Sequence, residues 1–172
     1  QGCIGGNMRG ENCHCLVNPE LNREAELPFN PTNEAKNIAV VGSGVSGLEA
    51  AITAKRRGHQ VTVYEKDNRP GGTWNIAGLP PYKGELVTFI KWQVDECQRL
   101  GIEIKYNTVF TESDADQYDE VIIATGCKPF MPPIPGHEQE NVVQANDVLK
   151  QDASFGKNVV VLGGGSVGGE TA

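Results

Sequence analysis

Residues 38–51 read Ile38-Ala39-Val40-Val41-Gly42-Ser43-Gly44-Val45-Ser46-Gly47-Leu48-Glu49-Ala50-Ala51, and this stretch decides the fold. Its apolar run stops at a glycine, as a strand buried on both faces does. From Val45 the apolar period becomes helical. Val45, Leu48, Ala51 and Ile52 fall on one face, Lys55, Arg56 and Arg57 load the last turn, and Gly58 ends it. Late cations and a terminal glycine are what a helix C-terminus favours. Val61-Thr62-Val63-Tyr64 predicts a second strand, rich in β-branched residues. A β-α-β unit of about 30 residues suits a parallel crossover.

Gly42-Ser43-Gly44-Val45-Ser46-Gly47 is G-x-G-x-x-G, leaving a predicted strand and opening a predicted helix. Each glycine has a task. Gly42 permits the turn out of the strand, Gly44 lets a pyrophosphate approach the backbone, and Gly47 lets helix and strand pack closely. The phosphates then meet the free N–H groups and positive dipole end of the helix. Glu65 ends the second strand, where a carboxylate accepts both hydroxyls of an adenosine ribose and repels a 2′-phosphate; Lys66 follows it. Arg69-Pro70-Gly71-Gly72-Thr73-Trp74 comes next, and its paired glycines allow the chain to cross close to an extended dinucleotide.

Further along, Leu86, Ile90, Gln93, Val94 and Cys97 predict one side of a helix closed by Gly101. Ile102-Glu103-Ile104 predicts a strand, Asp114 to Asp119 an acidic surface turn, and Glu120 to Ala124 another buried strand. That strand ends in Ala124-Thr125-Gly126. After a proline-rich connector, Val159-Val160-Val161-Leu162 repeats the first strand, and Gly163-Gly164-Gly165-Ser166-Val167-Gly168 repeats the loop. Residues 1–36 show no periodicity and are expected to be loop and linker.

The composition excludes several classes. The formal net charge is −7, which argues against nucleic acid as the main partner. No apolar run is long enough to span a bilayer. No basic-then-apolar leader pattern opens the chain, so a cytoplasmic protein is expected. Of the 172 residues 21 are glycine, well above the ~7% norm, and they gather at the two loops. Five cysteines, three of them early (Cys3, Cys13, Cys15), suggest metal or redox use more than a disulfide framework.

The combination resembles the C-terminal region of the 2,4-dienoyl-CoA reductase and enoate reductase family, whose plan trimethylamine dehydrogenase and other long relatives of old yellow enzyme share. Cys15-Leu16-Val17-Asn18-Pro19, Val40 to Ala51, Pro70-Gly71-Gly72 to Ala77, Asp119 to Pro129 and Val160 to Glu170 carry the resemblance. It implies FAD at the first loop and NAD(P)H at the second. It also implies an FMN-bearing barrel and a [4Fe-4S] cluster through which electrons reach FMN, which reduces a C=C bond. Cys3 and Cys15 match the first and last cluster cysteines of that plan. Gly6 and Gly10 stand where its C-x-x-C-x-x-x-C run has thiols, and Cys13 and His14 adjoin Cys15, so a standard four-thiolate cluster is not expected.

The expectation is therefore an α/β, Rossmann-like FAD/NAD(P)-binding domain with a parallel sheet. Residues 1–36 form a linker resembling a degenerate iron-sulfur segment, 37–156 the first part of an FAD domain, and 157–172 the opening of an NAD(P)H domain. Expected dinucleotide contacts are Gly42, Ser43, Gly44, Val45, Ser46, Gly47, Glu65, Lys66, Gly72, Thr73, Trp74, Ala124, Thr125, Gly126, Gly163, Gly165 and Gly168, with Cys3 and Cys15 as remnant metal positions. The sequence singles out no catalytic residue. A second class of function stands beside the reductase: a module that holds ADP or FAD without electron flow. A disulfide reductase ranks below both, since no C-x-x-C pair is present.

Overall fold

The computed structural model describes residues 2–172, with side chains from Ile4 onward. Four strands form one parallel sheet: β1 (Asn37–Val41), β2 (Gln60–Tyr64), β3 (Glu103–Lys105) and β4 (Glu120–Ile123). Their order is β3-β2-β1-β4, with Val40 opposite both Val63 and Ile122, and Val63 opposite Ile104. The helices are α1 (Gly2–Met8), α2 (Val45–Arg56), α3 (Thr73–Ala77), α4 (Glu85–Arg99), α5 (Glu112–Ala115), α6 (Ala145–Leu149) and α7 (Ser166–Thr171).

The core lies where α2 and α4 cover the sheet. Val40, Val63, Leu48 and Ala51 are fully buried, with Ile52 and Ile90 nearly so. Each large aliphatic side chain here contributes about 1.5–3 kcal/mol by leaving water. Both long helices stop in the same way. After α2, the N–H of His59 reaches Ala54 O and that of Gly58 reaches Lys55 O; after α4, Ile102 reaches Cys97 O and Gly101 reaches Gln98 O. Gly58 (φ 99°) and Gly101 (φ 69°) take the left-handed position of this paired cap and hand the chain to the next strand.

Several expectations need correction. The 1–36 segment holds a helix, α1; three of its seven residues are glycine, so neither propensity nor apolar period announces it. Helices α3, α5 and α6 are single turns in stretches read as irregular, too short to show a period. β3 lies one residue later than expected. β4 ends at Ile123 and, among the described residues, stands at the edge of the sheet, with Ile123 68% exposed. Val159–Leu162 forms no strand: no described strand runs beside it, and Val160 and Leu162 stand in solvent. A strand draws its hydrogen bonds from neighbours, so an apolar run alone does not make one.

Candidate functional site: a glycine-walled crevice at the sheet's carboxyl edge

From β1 the chain moves first to β2 and β3 on one side, then to β4 on the other. The crevice between β1 and β4, at the carboxyl ends of the strands, is where parallel α/β sheets take ligands. Gly42 makes the turn there with φ 106°, a conformation costly for any side chain, and a Cβ on it would strike the Ala124 carbonyl. Its N–H donates to Tyr64 O at 2.7 Å, so the turn is fastened to the end of β2. A Cβ on Gly47 would run into the carbonyl oxygen of Gly42, which is why α2 sits so close to the turn.

Gly44 is different. It caps α2 with φ −68° and ψ 173°, an ordinary extended conformation, and no atom lies within 4 Å of where its Cβ would be. No side chain caps this helix end. The first-turn N–H groups therefore face an open hollow at the positive end of the helix, the arrangement that holds a phosphate. The hollow fits the pyrophosphate of a dinucleotide.

Glu65 forms the adjoining wall. It is buried, and its Oε2 accepts the Ser43 N–H at 2.8 Å and the Ser43 hydroxyl at 2.6 Å, while Oε1 accepts the Asp67 N–H at 3.0 Å. Burial alone would raise this carboxyl. The Ser43 hydroxyl, the two backbone N–H groups and the nearby Lys66 charge outweigh it and hold the group below the usual carboxylate range. A carboxylate has about four lone-pair directions, so three protein donors leave one direction open, enough for one ribose hydroxyl. Ser43 itself is sealed inside, and its donors are already committed to Glu65; Lys66 is exposed.

The paired glycines cross where the sequence places them. Gly71 N–H donates to Ser43 O at 2.8 Å, and Gly44 and Gly71 form an isolated parallel bridge. Ile90 lies directly beneath Gly71, where a Cβ would meet its Cδ1 at 2.6 Å. Thr73 is exposed. Trp74 is half-buried and its indole N–H donates to Leu86 O at 2.8 Å, which pins the strap formed by residues 70–84 to α4. On the opposite side Ala124 N–H donates to Val41 O at 2.8 Å, so Ala124-Thr125-Gly126 flanks the glycine turn. The loop, Glu65, the strap and the Ala124 turn thus meet in one crevice.

The second loop repeats the first. Gly163 has φ 107°, Gly165 caps α7 with φ −75° and ψ −175°, and a Cβ on Gly168 would strike the Gly163 carbonyl oxygen. Lys83, at the end of the strap, forms an ion pair with Glu170 on α7.

Of the two remnant metal positions, the Cys3 side chain lies outside the described residues, and Cys15 is half-buried. Among the described residues no group of three or more His, Cys, Asp or Glu side chains converges as a metal site. A cavity of about 620 Å³ lies away from the crevice, on the flank of α2 between Leu27, Phe29 and Ile122, and shares only Ser46 with the loop. Gln93 is a residue the sequence reading left in the core stripe, although a polar side chain at an inward helical position was its visible signal. No helix among the described residues is long and apolar enough to cross a membrane.

Fold and crevice define a Rossmann-type dinucleotide-binding domain. Residues 7–111 and 36–172 match the family described as pyridine nucleotide-disulphide oxidoreductase, and the chain belongs to that family. It is 40% identical over 178 residues to a metal reductase of Desulforamulus reducens, covering 100% of this chain and 27% of that protein. An NADH oxidase of Thermoanaerobacter brockii is 43% identical over 184 residues, covering 99% and 28%. Among solved structures, a 2-naphthoyl-CoA reductase in complex with 2-naphthoyl-CoA is 34% identical with a TM-score of 0.92, covering 100% of this chain and 27% of that one. The chain thus spans about a quarter of the length of these relatives.

Proposed function

We propose that the chain is the FAD-holding, electron-input part of a larger NAD(P)H-dependent flavoprotein oxidoreductase that reduces C=C bonds of enoate or enoyl-type substrates. Residues 37–156 are the first part of the FAD domain, 157–172 the opening of the NAD(P)H domain, and 1–36 the link toward an FMN-bearing barrel. A cytoplasmic location goes with this assignment. The observation that carries it is the convergence of Gly44, Glu65, Gly71 and Ala124 on one crevice, with a hollow at Gly44 that no protein atom fills. The first-turn N–H groups of α2 bind the pyrophosphate, Glu65 orients the adenosine ribose, and Gly71-Gly72 lets the strap pass beside the extended cofactor. FAD, when bound, supplies a two-electron acceptor for hydride. The likeness to a reductase of an aromatic acyl-CoA supports an unsaturated acyl-type substrate.

Mass spectrometry of the ligand released from the natively purified intact protein tests this. Release of FAD, with flavin absorbance before release, is the expected result. ADP alone would make the chain a holding module without electron flow. Absence of any adenine dinucleotide or diphosphate would overturn the assignment.

A further inference from the structure

Gln93 is fully buried on the face of α4 that packs against α2. Its Nε2 donates to Val45 O at 3.2 Å and to Glu49 Oε2 at 3.1 Å. Its Oε1 is buried, and no donor among the described residues reaches it. Exchanging oxygen and nitrogen would set Oε1 against two acceptors, so the amide has one sensible orientation. An orphaned buried oxygen costs folding free energy, and an unbranched apolar side chain of similar size would fill the space without that cost. Only its two hydrogen bonds, to Val45 O and Glu49 Oε2, set a glutamine apart from such a residue.

These contacts point to its role. Val45 opens α2, and Glu49 lies four residues further, about 6 Å along the axis. An unrestrained carboxylate at that distance opposes an anion bound at the helix end, since ~10 Å is the range of such fields in ordinary salt. Gln93 ties down both groups from α4, the same helix whose Ile90 supports Gly71 on the other wall of the crevice.

We propose that Gln93 is a positioning residue for the dinucleotide: its amide fixes the first turn of α2 and holds the charged Glu49 carboxylate against α4, so that it does not swing toward the phosphate-binding N–H groups. This rests on the function proposed above. The test uses the intact protein, stripped of ligand and titrated separately with FAD and with ADP. Q93M should weaken FAD binding by about fivefold or more. The melting temperature of the ligand-free protein should be unchanged or higher, a split that a merely structural residue does not give. E49Q alone should bind FAD as well as or better than the parent, and in the E49Q background Q93M should lose less affinity than it does in the parent. Unchanged affinity in Q93M, affinity and melting temperature falling together, or weaker binding by E49Q would each overturn the proposal; the E49Q result stands even if Q93M does not fold. A parent protein that binds neither FAD nor ADP would refute the dinucleotide assignment itself, and is told apart because it involves no substitution.

Discussion

Glu65 holds Ser43 by both of that residue's donors, the backbone N–H at 2.8 Å and the hydroxyl at 2.6 Å, on a single carboxylate oxygen. The acid proposed to face the ribose is thus also the clamp that shapes the glycine turn. Glu65→Ala is expected to weaken dinucleotide binding by roughly 1.5–3 kcal/mol, as for hydrogen bonds to a charged group. Calorimetric titration with FAD checks this, and unchanged affinity would remove Glu65 from the site. The pH dependence has a definite sign. Because the folded-state carboxyl is held below its unfolded value, its contribution is complete above the unfolded value and is lost as pH falls through the folded one.

Gly44 and Gly47 should separate binding from folding. At Gly44 the backbone suits any residue and the space is open, so Gly44→Val should cost no more than about 1 kcal/mol of stability while filling the hollow and abolishing flavin retention. At Gly47 a Cβ strikes the Gly42 carbonyl, so Gly47→Ala should destabilise by about 1–3 kcal/mol. Denaturant melts and bound-flavin absorbance on both variants decide the matter. A Gly44→Val protein purified with full flavin would place the phosphates elsewhere.

Glu96 sets an acid limit on the fold. Hydrogen bonds from Arg99 and Arg56 hold its carboxyl down at about 2, against the usual 4.5. Since the folded value is the lower one, the stabilisation is whole above pH 4.5 and drains away as pH falls toward 2. Glu96→Gln should cost roughly 1–2 kcal/mol at neutral pH, limited by the exposure of Arg99, and the difference from the parent should vanish near the lower end of that window. Denaturant titrations across the acid range would expose a constant difference, which would contradict the assignment.

A fourth expectation concerns the second loop. Val159–Leu162 has no paired strand among the described residues, so the Gly163 turn lacks the sheet that steadies the Gly42 turn. Hydride transfer needs two rings held in near-attack contact. The 172-residue chain mixed with FAD and NADH or NADPH should therefore reduce a diaphorase dye no faster than free flavin does. Robust turnover would mean that the catalytic unit lies within these residues.

Much of this architecture was legible from local pattern. The switch from a strand run to helical period at Val45, and the stops at Gly58 and Gly101, are written in neighbouring residues, and the structure follows them. The placing of Gly71-Gly72 and Ala124 beside the first loop came from their order and spacing together with the family resemblance. What failed depends on distant neighbours. Glu120 to Ala124 reads the same whether its strand is central or at an edge, and only the partner count tells them apart. Val159–Leu162 looks like β1 and forms no strand, because pairing is not a property of the run. The Gln93 amide was visible as an odd polar residue in an apolar stripe, but its partners, Val45 and Glu49, lie more than 40 residues away.

The two loops make the same turn, with Gly42 at φ 106° and Gly163 at φ 107°, although they share only three of six residues. On the proposed assignment, sockets with the same backbone turn accept the same pyrophosphate, so the turns themselves do not discriminate between dinucleotides. Selection falls to the furniture around the first socket: the Glu65 carboxylate, the Gly71-Gly72 crossing and the Ala124 turn. Redesign of cofactor choice in this chain should leave both glycine hexapeptides alone and work on those surroundings.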